Sequence, residues 1–202
     1  MKRLNVYIDG FNLYFGMVNS GLSSCKWLDV QSLAMNIKSD SHILNETKYF
    51  TSRISNNPDK QKRQNIYLEA LQTTSISIMY GQFRNQPMKC TQCSYFWYDS
   101  KEKMTDVNIA TSMMTDAFTD NFDVAFLISG DSDLVPPVAA IRSLFPQKEI
   151  WVVLPPGRES NALKKVASGS FVLGKKKLQQ SQLPNEVTSK YGMVLKKPPS
   201  WC

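Results

Sequence analysis

The chain has 202 residues, 42% of them hydrophobic, which suits one domain of about 150–200 residues with a full core and excludes a disordered protein. No apolar run approaches the roughly 18–20 residues that cross a bilayer, and Met1-Lys2-Arg3-Leu4 leads into strand-like sequence with no apolar leader, so the expectation is a cytoplasmic protein with no membrane partner. The net charge of +7 favours an anionic partner, and the single histidine, His42, lies in a polar stretch that reads as surface; chemistry is left to carboxylates.

Leu4–Ile8 is a β-rich run that stops at Asp9-Gly10, a tight strand-to-helix turn. Leu13–Val18 reads as a short helix, and Val30, Leu33, Ala34 and Ile37 repeat at helical spacing. Tyr49-Phe50-Thr51 marks a strand. Asn56-Asn57-Pro58-Asp59 is a turn that also caps a helix reaching about Thr73. Ser75 to Phe83 is again strand-like, whereas 84–103 is polar, aromatic and cysteine-containing without a helical period, as in a hairpin excursion.

Thr105 opens an amphipathic helix with Met104, Val107, Ala110, Met114, Ala117 and Phe118 on the expected apolar face. Asp123–Ile128 is a continuous apolar run of the kind buried on both faces of a sheet. Ser129-Gly130-Asp131-Ser132-Asp133 is the turn after it, and Leu134–Leu144 the next helix, with Pro136 and Pro137 tolerated in its first turn. Glu149–Leu154 reads as a strand, Ser160–Ala167 as a helix and Phe171–Leu173 as a closing strand. This alternation predicts an α/β domain over residues 1–174, with a mostly parallel central sheet between helices. Residues 175–202 lose the pattern and carry six lysines against one acid, Glu186, which predicts a basic, loosely ordered tail.

Ligands of open parallel sheets bind at the carboxyl ends of the strands. Asp9, Asp131 and Asp133 fall there, and Asp106 opens the helix that precedes the second of those strands. Asn12 sits one turn beyond Asp9. Clustered carboxylates repel unless a cation intervenes, and an all-oxygen donor set suits Mg²⁺ or Mn²⁺ rather than zinc. Such an ion activates water and neutralises charge on a phosphoryl group. The Ser129–Ser132 turn offers backbone and hydroxyl donors to a phosphate, and Lys101, Lys103 and Arg158 are candidate phosphate contacts. As structural roles, Asp106 is equally a helix-start charge and Asp133 a helix cap.

Val6-Tyr7-Ile8-Asp9-Gly10-Phe11-Asn12-Leu13 resembles the opening strand of NYN domains, members of the PIN-like nuclease superfamily. Lys103-Met104-Thr105-Asp106-Val107 resembles their middle helix start, and Leu127-Ile128-Ser129-Gly130-Asp131-Ser132-Asp133-Leu134 their serine-glycine-aspartate-x-aspartate turn. The resemblance implies a PIN-like three-layer sandwich and metal-dependent ribonuclease activity. It makes Asp9, Asp106, Asp131 and Asp133 the catalytic, metal-binding acids, with Asn12 beside them. The chain departs from the family at Ala167-Ser168-Gly169-Ser170, where a further acid is expected.

An RNA-binding or regulatory module that lacks turnover is the alternative. A phosphatase is disfavoured because Asp9-Gly10-Phe11-Asn12 lacks a second aspartate two positions on. Cys90-Thr91-Gln92-Cys93 has zinc-ligand spacing, but Cys25, Cys202 and His42 supply no second pair, so the cysteines read as reduced thiols in a hairpin unless a homodimer shares the ion. Tyr95, Phe96, Trp97 and Tyr98 are read as packing or as a stacking platform for bases.

Overall fold

In the computed structural model, residues 1–54 and 57–201 are described, with the side chains of 83–86 and 98–102 excepted. Strand β1 (Lys2–Asp9) begins exposed and then buries six successive residues, and β6 (Val124–Ile128) is buried throughout. These two strands lie side by side and parallel at the centre of a six-stranded sheet. β2 (His42–Thr51) and β3 (Ser77–Tyr80) extend it on one side, and β7 (Glu149–Leu154) and β8 (Gly169–Val172) on the other. All five pairings within this sheet are parallel, as the run of apolar residues in its central strands requires.

Alternation along each strand divides the core in two. Leu4, Val6 and Ile8 of β1 face α1 (Gly10–Asn19), α2 (Val30–Ile37) and α3 (Pro58–Leu71). Tyr7, Ala125 and Leu127 face α4 (Thr105–Phe118), α5 (Val135–Leu144) and α6 (Asn161–Val166). The result is the expected three-layer α/β sandwich. Local chemistry sets the helix starts. Asp29 accepts from the N–H groups of Gln31 and Ser32 ahead of α2, and Asn57 from that of Lys60 ahead of α3, where Pro58 takes the first position. Asn56 of the expected turn lies outside the described residues.

Three expectations need correction. The buried face of α4 is made by Thr105, Ile109, Ser112, Met113, Asp116 and Ala117, whereas Val107 is 63% and Phe118 66% exposed. Polar residues turn inward because they have partners. Asp116 accepts from the Tyr7 hydroxyl and from Lys48 Nζ, both at 2.6 Å. His42 is half-buried, the first residue of β2 rather than part of a surface loop, with its ring edge-on to Phe126 at 6.0 Å.

The third correction concerns the basic end. It forms α7 (Lys175–Gln180), the antiparallel pair β9 (Glu186–Thr188) and β10 (Val194–Lys196), and a 3₁₀ turn at Pro199–Trp201. Leu178, Leu183, Leu195 and Trp201 join the core under α1–α3. The segment is stitched to residues 27–36. The Trp27 indole N–H donates to the Pro184 carbonyl at 2.7 Å, and the Asp29 N–H to the Ser181 carbonyl at 2.8 Å. Trp201 packs edge-on to Tyr67 and Trp27. The lysines decorate a folded segment.

The excursion is a two-stranded antiparallel hairpin of β4 (Gln82–Lys89) and β5 (Phe96–Lys103), separate from the main sheet. Among the described residues no helix is long and apolar enough to cross a membrane.

Candidate functional site

The sheet reverses its winding direction between β1 and β6, because β1 is followed by β2 on one side and the chain returns through β6 on the other. A crevice opens at the carboxyl ends of two strands that diverge in this way. Ile8 pairs with Ile128, so the residues that follow, Asp9 and Ser129, leave the sheet side by side. Asp9 caps α1: one carboxylate oxygen accepts the Asn12 N–H at 3.0 Å and the other accepts the Ser129 hydroxyl at 2.9 Å. Ser129 Oγ also accepts the Asp131 N–H at 3.1 Å, and Asn12 Oδ1 accepts the Gly130 N–H at 3.0 Å. The two turns are thereby locked to each other.

The loop after β7 supplies the cation. Pro155-Pro156-Gly157 turns back on itself, with Gly157 at φ +66° and the Arg158 N–H donating to the Pro155 carbonyl at 3.0 Å. Gly16 of α1 lets this loop sit close, since a Cβ there would lie 2.8 Å from Pro155 Cβ. Arg158 then reaches the crevice, and its Nε is buried without a hydrogen-bond partner among the described residues. The third wall is the end of β5 and the start of α4. Met104 is left-handed at φ +78°, an uncommon state for a side-chain-bearing residue. Thr105 and Asp106, just past that kink, line the same cleft as Asp9.

The cleft holds about 290 Å³. Asp9, Asp106, Asp131, Asn12, Lys103 and Arg158, six of the residues expected from sequence, line it together. Asp133 and Ser132 do not. Asp131 caps the 3₁₀ turn Ser132–Leu134 by accepting the Asp133 N–H at 3.0 Å, and this turn sends Leu134 into the core and leaves Ser132 and Asp133 exposed. Ser129, expected to touch substrate, is fully buried behind Asp9. It orients a carboxylate instead. Phe11, Phe15, Met104 and Thr105 also line the cleft and were not anticipated; the repeat of Phe11 and Phe15 at i and i+4 was the available signal.

Among the described residues no three His, Cys, Asp or Glu side chains form a closed set of metal ligands. The donor chemistry still fits a hard divalent ion: three carboxylates and the Asn12 amide in one polar cleft, with no histidine or cysteine in its lining. Mg²⁺ commonly takes one or two carboxylates directly and keeps several waters, so a closed set is not required.

Cys90 and Cys93 sit in the hairpin turn, where the Cys90 N–H donates to the Tyr95 carbonyl at 2.8 Å. Backbone N–H groups of Cys93 and Gln92 pull the Cys90 thiol below its ordinary pKa. Cys25 is buried in the core and His42 starts β2, so neither is brought to the pair. Tyr95 and Trp97 stack on each other at 6.3 Å and are exposed. Cys202 and the side chains of Tyr98 and Lys101 lie outside the described residues.

A family model described as NYN domain matches residues 3–195, a span that takes in most of the folded basic segment. The chain is 26% identical over 188 residues to 6-hydroxy-3-succinoylpyridine 3-monooxygenase HspA of Pseudomonas putida (strain DSM 28022 / S16), with 76% of this chain covered. It spans 59% of that protein's length. A protein of unknown function from Vibrio parahaemolyticus RIMD 2210633 has the same fold, with a TM-score of 0.56 at 17% identity over 90% of this chain and 96% of that one.

Proposed function

The chain belongs to the NYN domain family, and we propose that it is a ribonuclease that hydrolyses RNA phosphodiester bonds with a Mg²⁺ or Mn²⁺ ion held in the acid cleft. The observation that carries this reading is the meeting of Asp9, Asp106 and Asp131, from three separate elements, with Arg158 and Lys103 in one polar cleft. One or two of Asp9, Asp106 and Asp131 would hold the ion directly and the rest through its waters. When bound, it supplies activation of water and neutralisation of charge on the phosphoryl group.

The chain's own residues do the rest. Arg158 offers a buried, unsatisfied Nε, and a guanidinium matches phosphate oxygens in geometry as well as charge. Lys103 adds an exposed ammonium at the opposite wall, steering an anion without selecting sequence. Ser129 and the Asn12 N–H fix the direction of the Asp9 carboxylate. Asn12 in turn fixes Gly130, and so the turn that carries Asp131.

The test is cleavage of end-labelled RNAs in Mg²⁺, in Mn²⁺ and in EDTA by the wild-type protein and by Asp106→Asn. The expected result is metal-dependent cleavage that EDTA abolishes and the variant lowers by orders of magnitude. Cleavage at full rate in EDTA, or none on several single-stranded and structured RNAs, overturns the reading.

A further inference from the structure

Beside the acid cleft lies a larger cavity of about 620 Å³, within the range of about 300–1,000 Å³ that small-molecule sites occupy. Its floor is aromatic: Tyr49, Tyr67 and Trp201 are each at least nine-tenths buried. The Tyr67 hydroxyl is already committed to the Leu28 carbonyl at 2.8 Å, so Tyr67 offers the cavity its ring. Tyr14 of α1 forms one side, and Lys60 and Arg63 of α3 stand at another. Neither cation meets a carboxylate among the described residues.

The two hollows share a wall. Phe11 and Phe15 line both, one helical turn apart, with ring centroids 6.1 Å apart and planes 20° or so from parallel (22°). One side of this wall is acidic, with Arg158 and Lys103; the other is aromatic, with Lys60 and Arg63. A ligand that straddles the wall must therefore combine a flat apolar group with closely spaced anionic charge on either side. A single-stranded polynucleotide has that alternation. A base locked in a duplex does not, because its faces are covered by its neighbours.

We propose that this cavity receives an unpaired nucleobase of the RNA next to the phosphate in the acid cleft, with Lys60 and Arg63 on the following phosphate, so that the site selects single-stranded RNA. The inference rests on the ribonuclease reading for the nature of the chain that is bound. It goes further in naming which structural form of RNA is taken and which residues select it. Stacking tolerates any base, so selectivity is for an unpaired strand rather than for a sequence.

Binding in EDTA tests this without turnover. The probes are one fluorescent RNA 12-mer, its blunt duplex, and the same 12-mer carrying one abasic ribose at successive positions; the proteins are the wild type, Tyr14→Ala and Arg63→Gln. The wild type should prefer the single strand to the duplex by about tenfold, and one abasic position should cost a similar factor. Each variant should lose about tenfold for the single strand and leave duplex binding unchanged. Equal affinity for both forms, or variants that match the wild type on the single strand, overturns the proposal. So does a cavity that takes free 2-hydroxypyridine which the 12-mer does not displace. Selective binding without cleavage on adding Mn²⁺ sinks the ribonuclease reading and leaves the base site standing; cleavage with no preference between strand forms sinks the base site alone.

Discussion

The two ends of the central sheet hold their acids in opposite ways. Toward the amino end, carboxylates meet cations. Asp120 and Asp123 share the Arg3 guanidinium at 3.0 and 2.7 Å, and Asp120 also accepts from Lys148 Nζ at 2.6 Å. Glu149 pairs with Lys2, and Asp116 with Lys48. At the carboxyl end, the hydrogen bonds described for Asp9 and Asp131 come from neutral donors: backbone N–H groups and the Ser129 hydroxyl. A carboxylate bonded to an ammonium has its charge answered locally, while hydrogen bonds from neutral donors orient a carboxylate without themselves supplying a counter-charge. The same residue type thus serves stability at one end and, under our proposal, ligand binding at the other.

Several changes would break or sharpen this contrast, and the largest effect belongs to the amino end. Asp116→Ala leaves the part-buried Lys48 with Glu46 alone and strands the Tyr7 hydroxyl, so it should cost about 3 kcal/mol of stability in urea unfolding. Cleavage per folded molecule should hold, because Asp116 is remote from the cleft lining. A comparable loss, about 3–5 kcal/mol, is expected for Trp201→Ala, which removes a buried ring from between Trp27 and Tyr67. An unchanged melting temperature would restore the loosely held tail expected from composition.

Ser129→Ala is the intermediate case. It deletes the hydroxyl that holds a 95%-buried carboxylate (Asp9, 5% exposed), a charge-assisted bond worth about 1.5–3 kcal/mol. Here cleavage should fall further than stability does, the reverse of Asp116→Ala. Cleavage that tracks only the folded fraction would show that Asp9 needs no positioning.

The smallest effect is a pH dependence. The Arg3 side chain and its backbone N–H hold Asp123 at about 2, below its ordinary 3.8, and Lys148 and Arg3 lower Asp120. Since the native values lie below the unfolded ones, this contribution is complete above the ordinary carboxylate pKa and is lost as pH falls through the native one. The stability difference between wild type and Asp123→Asn should therefore shrink as pH is lowered from 5 toward about 2. A difference that stays constant across that range would remove Arg3–Asp123 from the acid response.

The parts of the fold legible in sequence are those whose signal is local. β1 announces itself as a β-rich run interrupted only by Asn5 and β6 as an unbroken apolar run; they end at Asp9-Gly10 and at Ser129-Gly130-Asp131, and those turns also disclosed Asp9 and Asp131. The inward face of α4 was misread because it is chosen by Asp116 and its partners on β1 and β2, which hydropathy along the helix does not register. Leu178, Leu183, Leu195 and Trp201 are isolated in a lysine-rich stretch, and their partners Trp27, Leu28 and Tyr67 lie more than a hundred residues earlier. Nothing nearby marks them as core. The outward course of Ser132 and Asp133 follows from the cap that Asp131 makes, a choice of turn geometry that spacing alone leaves open. The aromatic cavity was invisible because α1, β2, α3 and the carboxyl-terminal turn each contribute only a few of its residues.

The most direct measurement is the paired assay of Asp131→Asn against the wild type on one RNA oligonucleotide, with cleavage read in Mn²⁺ and binding read in EDTA. Asparagine keeps the size of Asp131 and its cap to the Asp133 N–H, while removing one negative charge from the cleft. If that charge holds the ion that stabilises the transition state, the loss falls on cleavage rather than on binding. The account predicts cleavage lower by orders of magnitude with metal-free affinity level or slightly tighter. Cleavage by the variant at the wild-type rate would contradict it.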